Sequence, residues 1–182
     1  MDAPVDDVVR DYLSNLSLSA KEAFQNNPER TCDGRVQLIG ARVLNDLGQP
    51  TEYLVAGKPG SLEFEYENLV SAQKIAMIVT IYNHMGVAVT SFDTRLTDYI
   101  VDDLGRQGKL VCHIPNLPLP VGQYRVGVAV SLGGDISDLI PNVMTFDVQS
   151  SIFYKTNQTP VPSRCTCMVW HEWQHDKIKP LA

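Results

Sequence analysis

Basic residues are in short supply in this sequence. Fifteen Lys and Arg stand against 21 Asp and Glu, giving a net charge of −6 over 182 residues. Backbone binding to nucleic acid rests on clustered Lys and Arg, so the balance argues against a nucleic-acid partner. No apolar run approaches the roughly 20 residues needed to span a bilayer. Cysteine is sparse too: Cys32, Cys112, Cys165 and Cys167 are the only four. None forms a C-x-x-C pair of the kind a structural zinc uses. Thiols two positions apart, such as Cys165 and Cys167, rarely bridge each other. The expectation is reduced thiols in a cytosolic protein, with a secreted chain carrying one or two disulfides as the alternative. The opening "MDAPVDDVVRDYL" is acidic and lacks the basic-then-apolar layout of a signal peptide. What is present is ordinary for a soluble globular protein: 44% apolar and 20% charged residues. A chain of this length can bury roughly 70% of its unfolded surface, so it needs no staple.

Residues 4–16 read as a helix. Pro4 suits the first turn, Asp6 and Asp7 suit its positive end, and Val5, Val8, Val9, Tyr12, Leu13 and Leu16 recur at spacings of three and four. Residues 17–33 turn polar and read as a linker, so that residues 1–33 precede a second unit over 34–182. From Gly34 the period changes to two. "RVQLIGARVL", "TEYLVAG", "SLEFEYENL", "KIAMIVTIYN", "VAVTSFDT", "GKLVCHIP", "QYRVGVAVSL" and "VMTFDVQ" are short alternating segments separated by Gly and Pro turns. With no helical pattern between them, they predict an all-β fold, an immunoglobulin-like antiparallel β-sandwich.

Strand phase then divides the faces. Ile75, Met77, Val79 and Ile81 share one side of their strand, as do Tyr124, Val126, Val128 and Val130, and Met144, Phe146 and Val148. With these bulky sides turned inward, the outer sides carry small and polar residues. They leave a shallow surface rimmed by Tyr82, Arg125 and Asp147. A flat aromatic beside hydrogen-bonding groups is the chemistry of a sugar groove. The candidate contacts are Thr80, Tyr82, His84, Arg125, Ser131, Thr145 and Asp147. The competing reading is a plain solvated sheet face, or a protein-interaction surface with no sugar site.

Near the C-terminus, His171-Glu172-Trp173-Gln174-His175 matches H-E-x-x-H, the zinc peptidase pattern. That chemistry needs a helix, a third ligand and a cleft. The flanks here are β-prone and then broken by Pro180. On a strand, His171 and His175 lie about 13 Å apart and cannot share an ion. The expectation is a closing strand, with Trp170, Glu172 and Gln174 facing one way and His171, Trp173 and His175 the other. Either tryptophan is then free to pack on the sandwich or a partner subunit, or to stack on a sugar ring. No metal and no other cofactor is expected. "FDTRLTDY" brings Asp93, Arg95 and Asp98 close together, as a turn with surface ion pairs or as a polar ligand contact from Asp93, Thr94 or Arg95.

Three stretches in order, "YLVAGKPGSLEFEYEN", "FDTRL" and "CHIPNLPLPVGQYRVGVAVSLGGDISD", followed by "FDVQSSIFY", resemble the C-terminal domain of Wzt-type subunits of polysaccharide ABC transporters, which export O-antigen. The leading "VDDVVRDYL" resembles the segment joining the ATPase to that domain. The chain has no G-x-x-x-x-G-K-[ST], so the resemblance implies a domain excised from a longer subunit. It further implies a non-catalytic β-sandwich that binds the modified non-reducing end of a finished glycan. The place would be the cytoplasm, at the inner face of the bacterial inner membrane, and binding would license export through the permease Wzm. It implies a homodimer with the C-terminal strand exchanged between protomers. The seven candidate contacts come from strand phase alone, not from the resemblance.

Overall fold

The computed structural model of the protein describes Phe24 and residues 27–72, 74–99, 101–102, 104–156, 158, 160–161 and 164–174. The helix expected over 4–16 lies outside the described residues, and so does His175. Eleven strands are described: β1 (Thr31–Cys32), β2 (Val36–Leu44), β3 (Pro50–Thr51), β4 (Tyr53–Val55), β5 (Gly60–Asn68), β6 (Lys74–Asn83), β7 (Ala88–Asp93), β8 (Val101–Asp102), β9 (Gln107–Ile114), β10 (Gly122–Leu132) and β11 (Asp135–Gln149). They form two sheets. One runs β1-β11-β10-β6-β7, with β4 added to β11 and β8 to β6; the other runs β3-β2-β5-β9. This is the expected antiparallel sandwich, with one exception: β4 lies parallel to β11.

The core follows from the alternation. Leu62 and Phe64 on β5, Ile81 on β6 and Val126 and Val130 on β10 are fully buried, and Phe146 and Val148 on β11 nearly so. Their neighbours Glu63, Glu65 and Glu67 turn outward. Glu63 and Glu65 pair there with Arg42 and Lys109. Tyr124 stacks on Phe146 with ring centres 5.8 Å apart, and its hydroxyl donates to the Pro120 carbonyl at 2.9 Å. Burial there pushes its phenol up to about 12.

Three departures from the alternation read in the sequence have physical causes. β2 carries a bulge between Leu38 and Gly40, so its inward residues switch from Val36 and Leu38 to Ala41 and Val43. The segment "TEYLVAG", expected as one strand, is two short ones: Thr51 pairs with Val43 in one sheet, and Tyr53–Val55 pairs with β11 in the other. Finally, the last long strand, expected over 143–148, begins at Asp135. Its register slips between Val126 and Val128 of the neighbouring strand, opposite residues 141–143. Pro141 has no N–H to give a ladder, and the bulge takes it out of the pairing.

The segment leading into the sandwich is fastened by charge. Asp138 on β11, fully buried, accepts from the Arg30 guanidinium at 2.8 and 2.6 Å and from the Leu38 N–H at 2.7 Å. Arg30 also donates to the Phe24 and Leu38 carbonyls, and Phe24 is buried in the core.

Candidate functional site

The central strand β10 has β6 on one side and β11 on the other. Arg125 lies opposite Tyr82 across the first pairing and opposite Thr145 across the second. Gly127 lies opposite Thr80, and Gln123 opposite Asp147. Because side chains alternate, Thr80, Tyr82, Arg125, Thr145 and Asp147 all stand on the outer face of this sheet, in adjacent rows. Thr145 and Asp147 are exposed, while Thr80, Tyr82 and Arg125 are half-buried.

Two contacts hold the middle of this surface. The Arg125 guanidinium carbon stands 4.4 Å from the centre of the Tyr82 ring. Its Nη1 donates to the Pro141 carbonyl at 2.6 Å, the carbonyl that the β11 bulge turns outward. Gly127 is the third element. A Cβ there would stand 2.9 Å from the Pro141 oxygen and 3.1 Å from Cε2 of Tyr82. The glycine therefore lets the tyrosine ring lie low across β10, against the bulge. Thr80 Oγ1 is 3.4 Å from Ser91 Oγ on the neighbouring strand β7. The result is a shallow face with a fixed aromatic, guanidinium donors, two threonine hydroxyls and one carboxylate.

The other two predicted residues sit apart from this centre. His84 is two residues past Tyr82, exposed in the β6–β7 hairpin, whose turn is held by Asn83 accepting from the Met85 and Val87 N–H groups. Ser131 is six residues along β10 from Arg125, about 20 Å away. There it is nearly buried and lines a different cavity of about 380 Å³ with Lys74, Thr94, Arg95, Asp98 and Gly134. Beside that cavity, Asp93 caps a 3₁₀ turn, Thr94–Thr97, and pairs with Arg95 at 2.7 Å. The Arg95 side chain holds the Asp93 carboxyl below its usual range. This is the turn with surface ion pairs read from "FDTRLTDY".

The tail differs from its expectation. Residues 169–174 form no strand. Trp170 and His171, which strand alternation would send to opposite sides, both pack on Tyr154. The chain is anchored beforehand by Met168, buried in the core, whose N–H donates to the Pro118 carbonyl at 2.6 Å. That anchor lies on a loop, not on a sheet edge, so no ladder follows from it. Nor is 169–174 helical, the conformation that two histidines four apart need to face one ion. Among the described residues, no three His, Cys, Asp or Glu side chains gather as a metal site. Residues given no site role in the sequence reading but important here are Gly127 and Pro141, which seat Tyr82 and Arg125, and Tyr154, on which Trp170 and His171 pack. A glycine within an alternating strand and a proline within another were the available signals.

Comparison with known proteins adds to this geometry. The crystal structure of the C-terminal domain of Wzt superposes with a TM-score of 0.59 and 13% identity, covering 71% of this chain and 83% of that one. A β-glucuronidase of glycoside hydrolase family 2 has a TM-score of 0.31 and 17% identity, covering 47% of this chain and 9% of that one. A CARDB domain from Pyrococcus furiosus, in complex with di-metal ions, has a TM-score of 0.35 and 17% identity, covering 66% and 93%. Neither likeness is close enough to bear on this chain's chemistry. No curated protein matches the chain significantly. The family described as the Wzt C-terminal domain matches residues 27–160, well over half of the sequence, and the chain belongs to that family.

Proposed function

We propose that this domain is the non-catalytic glycan reader of an O-antigen ABC transporter. It binds the modified non-reducing end of the finished polysaccharide on the outer face of β6, β10 and β11. The observation that carries the reading is the Arg125–Tyr82 stack, pinned by the Pro141 carbonyl. A saccharide needs a flat apolar surface for its C–H face and directional groups for its hydroxyls. Tyr82 offers the first. The free N–H groups of Arg125, the hydroxyls of Thr80 and Thr145 and the Asp147 carboxylate offer the second. Because the stack exists before ligand arrives, little ordering entropy is left for binding to cost. His84 and Ser131 lie at the ends of this face, away from the Tyr82–Arg125 centre.

Membership of the Wzt C-terminal domain family supports a polysaccharide as the ligand. The same reading places the domain in the cytoplasm at the inner face of the bacterial inner membrane. There it works within a longer subunit that partners a Wzm-type permease, as a homodimer with exchanged C-terminal strands. Among the described residues no helix is long and apolar enough to cross a membrane. Chain completion would be sensed as occupancy of the face, and export would follow from it.

The test is calorimetric titration of the chain with oligosaccharides carrying the natural terminus of the host's O-polysaccharide. Tyr82→Ala and Arg125→Ala should each weaken binding by about tenfold while the chain still unfolds in one cooperative thermal transition. Wild-type affinity in both variants would move the site off this face. No binding of any terminus by the wild type would leave the alternative, a protein-interaction surface without a sugar site.

A further inference from the structure

We propose a second saccharide subsite, in the cavity that Ser131 lines at the far end of β10; it rests on the reading of the domain as a glycan binder. The cavity holds about 380 Å³, within the range of about 300–1,000 Å³ usual for small-ligand pockets. Three elements enclose it: the start of β6, the 3₁₀ turn Thr94–Thr97 with the two residues after it, and the Gly133-Gly134 turn between β10 and β11. Hydrogen bonds fix the walls. Thr94 Oγ1 accepts from the Met77 N–H at 3.1 Å. The Thr94 carbonyl accepts from the Tyr99 N–H at 3.0 Å and from the Thr97 hydroxyl at 3.2 Å. No lining residue belongs to β9 or to the chain after β11, so strand exchange at the C-terminus takes nothing from this cavity.

Ser131 carries the argument. It is only 7% exposed, and among the described residues its hydroxyl has no hydrogen-bond partner. A hydroxyl so nearly buried normally has one. Ala76 stands opposite it on β6 and is too short to fill the space beside it, so the hydroxyl faces the cavity. The charged groups here divide in two. Arg95 is engaged by Asp93. The side chains of Lys74 and Asp98 are exposed and, among the described residues, pair neither with each other nor with another group. Lys74 can only donate, Asp98 can only accept, and Ser131 can do either. Tyr99, 61% exposed, adds the face of an aromatic ring. A pyranose fits this set: its hydroxyls donate to Asp98 and accept from Lys74 and Ser131, while its C–H face lies on the Tyr99 ring. Lys74 offsets Asp98 and Arg95 offsets Asp93, so no spare cation recommends an acidic sugar. The ligand class is a neutral pyranose. Its place in the glycan follows from distance. Ser131 is about 20 Å along β10 from Arg125. A terminus held at the Tyr82–Arg125 centre therefore leaves this cavity to a sugar further back in the same chain, and the domain reads the repeat as well as the end.

The experiment is calorimetric titration of the full chain with two fragments of the host's O-polysaccharide, both carrying the natural terminus, one of a single repeat unit and one of several. It compares the wild type with Ser131→Ala, Asp98→Gly and Tyr82→Ala; glycine adopts the left-handed backbone of Asp98, φ 53°, without strain. The expected result is that the wild type binds the longer fragment about tenfold more tightly than the shorter. Ser131→Ala and Asp98→Gly should bind the shorter fragment as the wild type does and lose most of the gain with length. The Ser131 hydroxyl has no partner to lose, so Ser131→Ala should unfold at the wild-type temperature. A lower temperature would show that the hydroxyl serves the fold, and would overturn the subsite. Equal affinity of the wild type for both fragments would overturn it too and leave the sheet face standing. A length gain kept in both cavity variants would do the same, since the extension then binds elsewhere. Tyr82→Ala separates the two readings. Weaker binding of both fragments with the length gain kept supports both sites. Unchanged binding of both fragments would sink the sheet centre, while a gain lost in the cavity variants would still support the cavity. No heat with either fragment would sink both.

Discussion

Arg30 and Asp138 stand 108 positions apart, and each sits in a polar stretch that reads as surface. Nothing in the local pattern says that they meet. In the fold the Asp138 carboxylate is wholly buried, and Arg30 supplies two of its donors while the Leu38 N–H supplies a third. Breaking such a pair by removing one partner leaves a charge with no water and too few hydrogen bonds. Arg30→Ala should therefore cost about 3–5 kcal/mol, measured by urea unfolding. Arg30→Lys should recover only part of that loss. One ammonium cannot serve the carboxylate in a fork and also reach the Phe24 and Leu38 carbonyls. A cost below about 1 kcal/mol for Arg30→Ala would place the pair among weak surface bridges and refute the clamp. Tyr82 and Arg125 show the opposite case. They too are distant in sequence, yet strand phase alone put them on the same face, because period-two alternation is a local property. Their direct contact depends on register, which is set between strands and is not written in either one.

At the level of the element, the sequence was most readable where one face meets the core and the other meets water. β5 and β6 match their expected spans within a residue or so for that reason. It was least readable where a strand changes partners or stops alternating. Pro141 interrupts the alternating pattern, which marks only 143–148 in the sequence; the bulge that absorbs the proline is a feature of the pair, not of the strand. β3 and β4 read as one strand for a like cause, since an extended segment that switches sheets keeps its alternation through the switch. The bulge also supplies the most specific prediction about the site. Gly127→Ala places a methyl group 2.9 Å from the Pro141 oxygen and 3.1 Å from Tyr82, so the bulge or the ring must shift. The expected cost is about 1–3 kcal/mol of stability, read as a lower unfolding midpoint, together with weaker glycan binding. Ala129→Gly, two residues along the same outer side of β10, serves as the control: it leaves the Tyr82 seat intact. If Gly127→Ala binds glycan as the wild type does, the low-lying tyrosine is not what the ligand reads.

For the molecule as a whole, the open question is what completes the sheet that ends at β9. Among the described residues β9 pairs only with β5, and Val111 on it is exposed. An uncovered edge of this length offers a row of unpaired N–H and C=O groups to any strand that arrives. Residues 169–174 form no strand within their own chain, although their composition favours one. Exchange between two protomers would meet both needs at once, giving the tail a ladder and the edge a cover. The expectation follows that the chain sediments at twice its 20.2 kDa mass. Truncation after Met168 should give a monomer that keeps its fold, because buried Met168 and its bond to Pro118 are retained. Truncation before Met168 removes that buried side chain and should cost a further 2–5 kcal/mol or so, as core methionine deletions do. A dimer that survives the first truncation would show that the tail is not the exchanged element. In that event the unpaired β9 edge has to be covered by another surface, and residues 170 and 171 keep the packing on Tyr154 seen within the single chain.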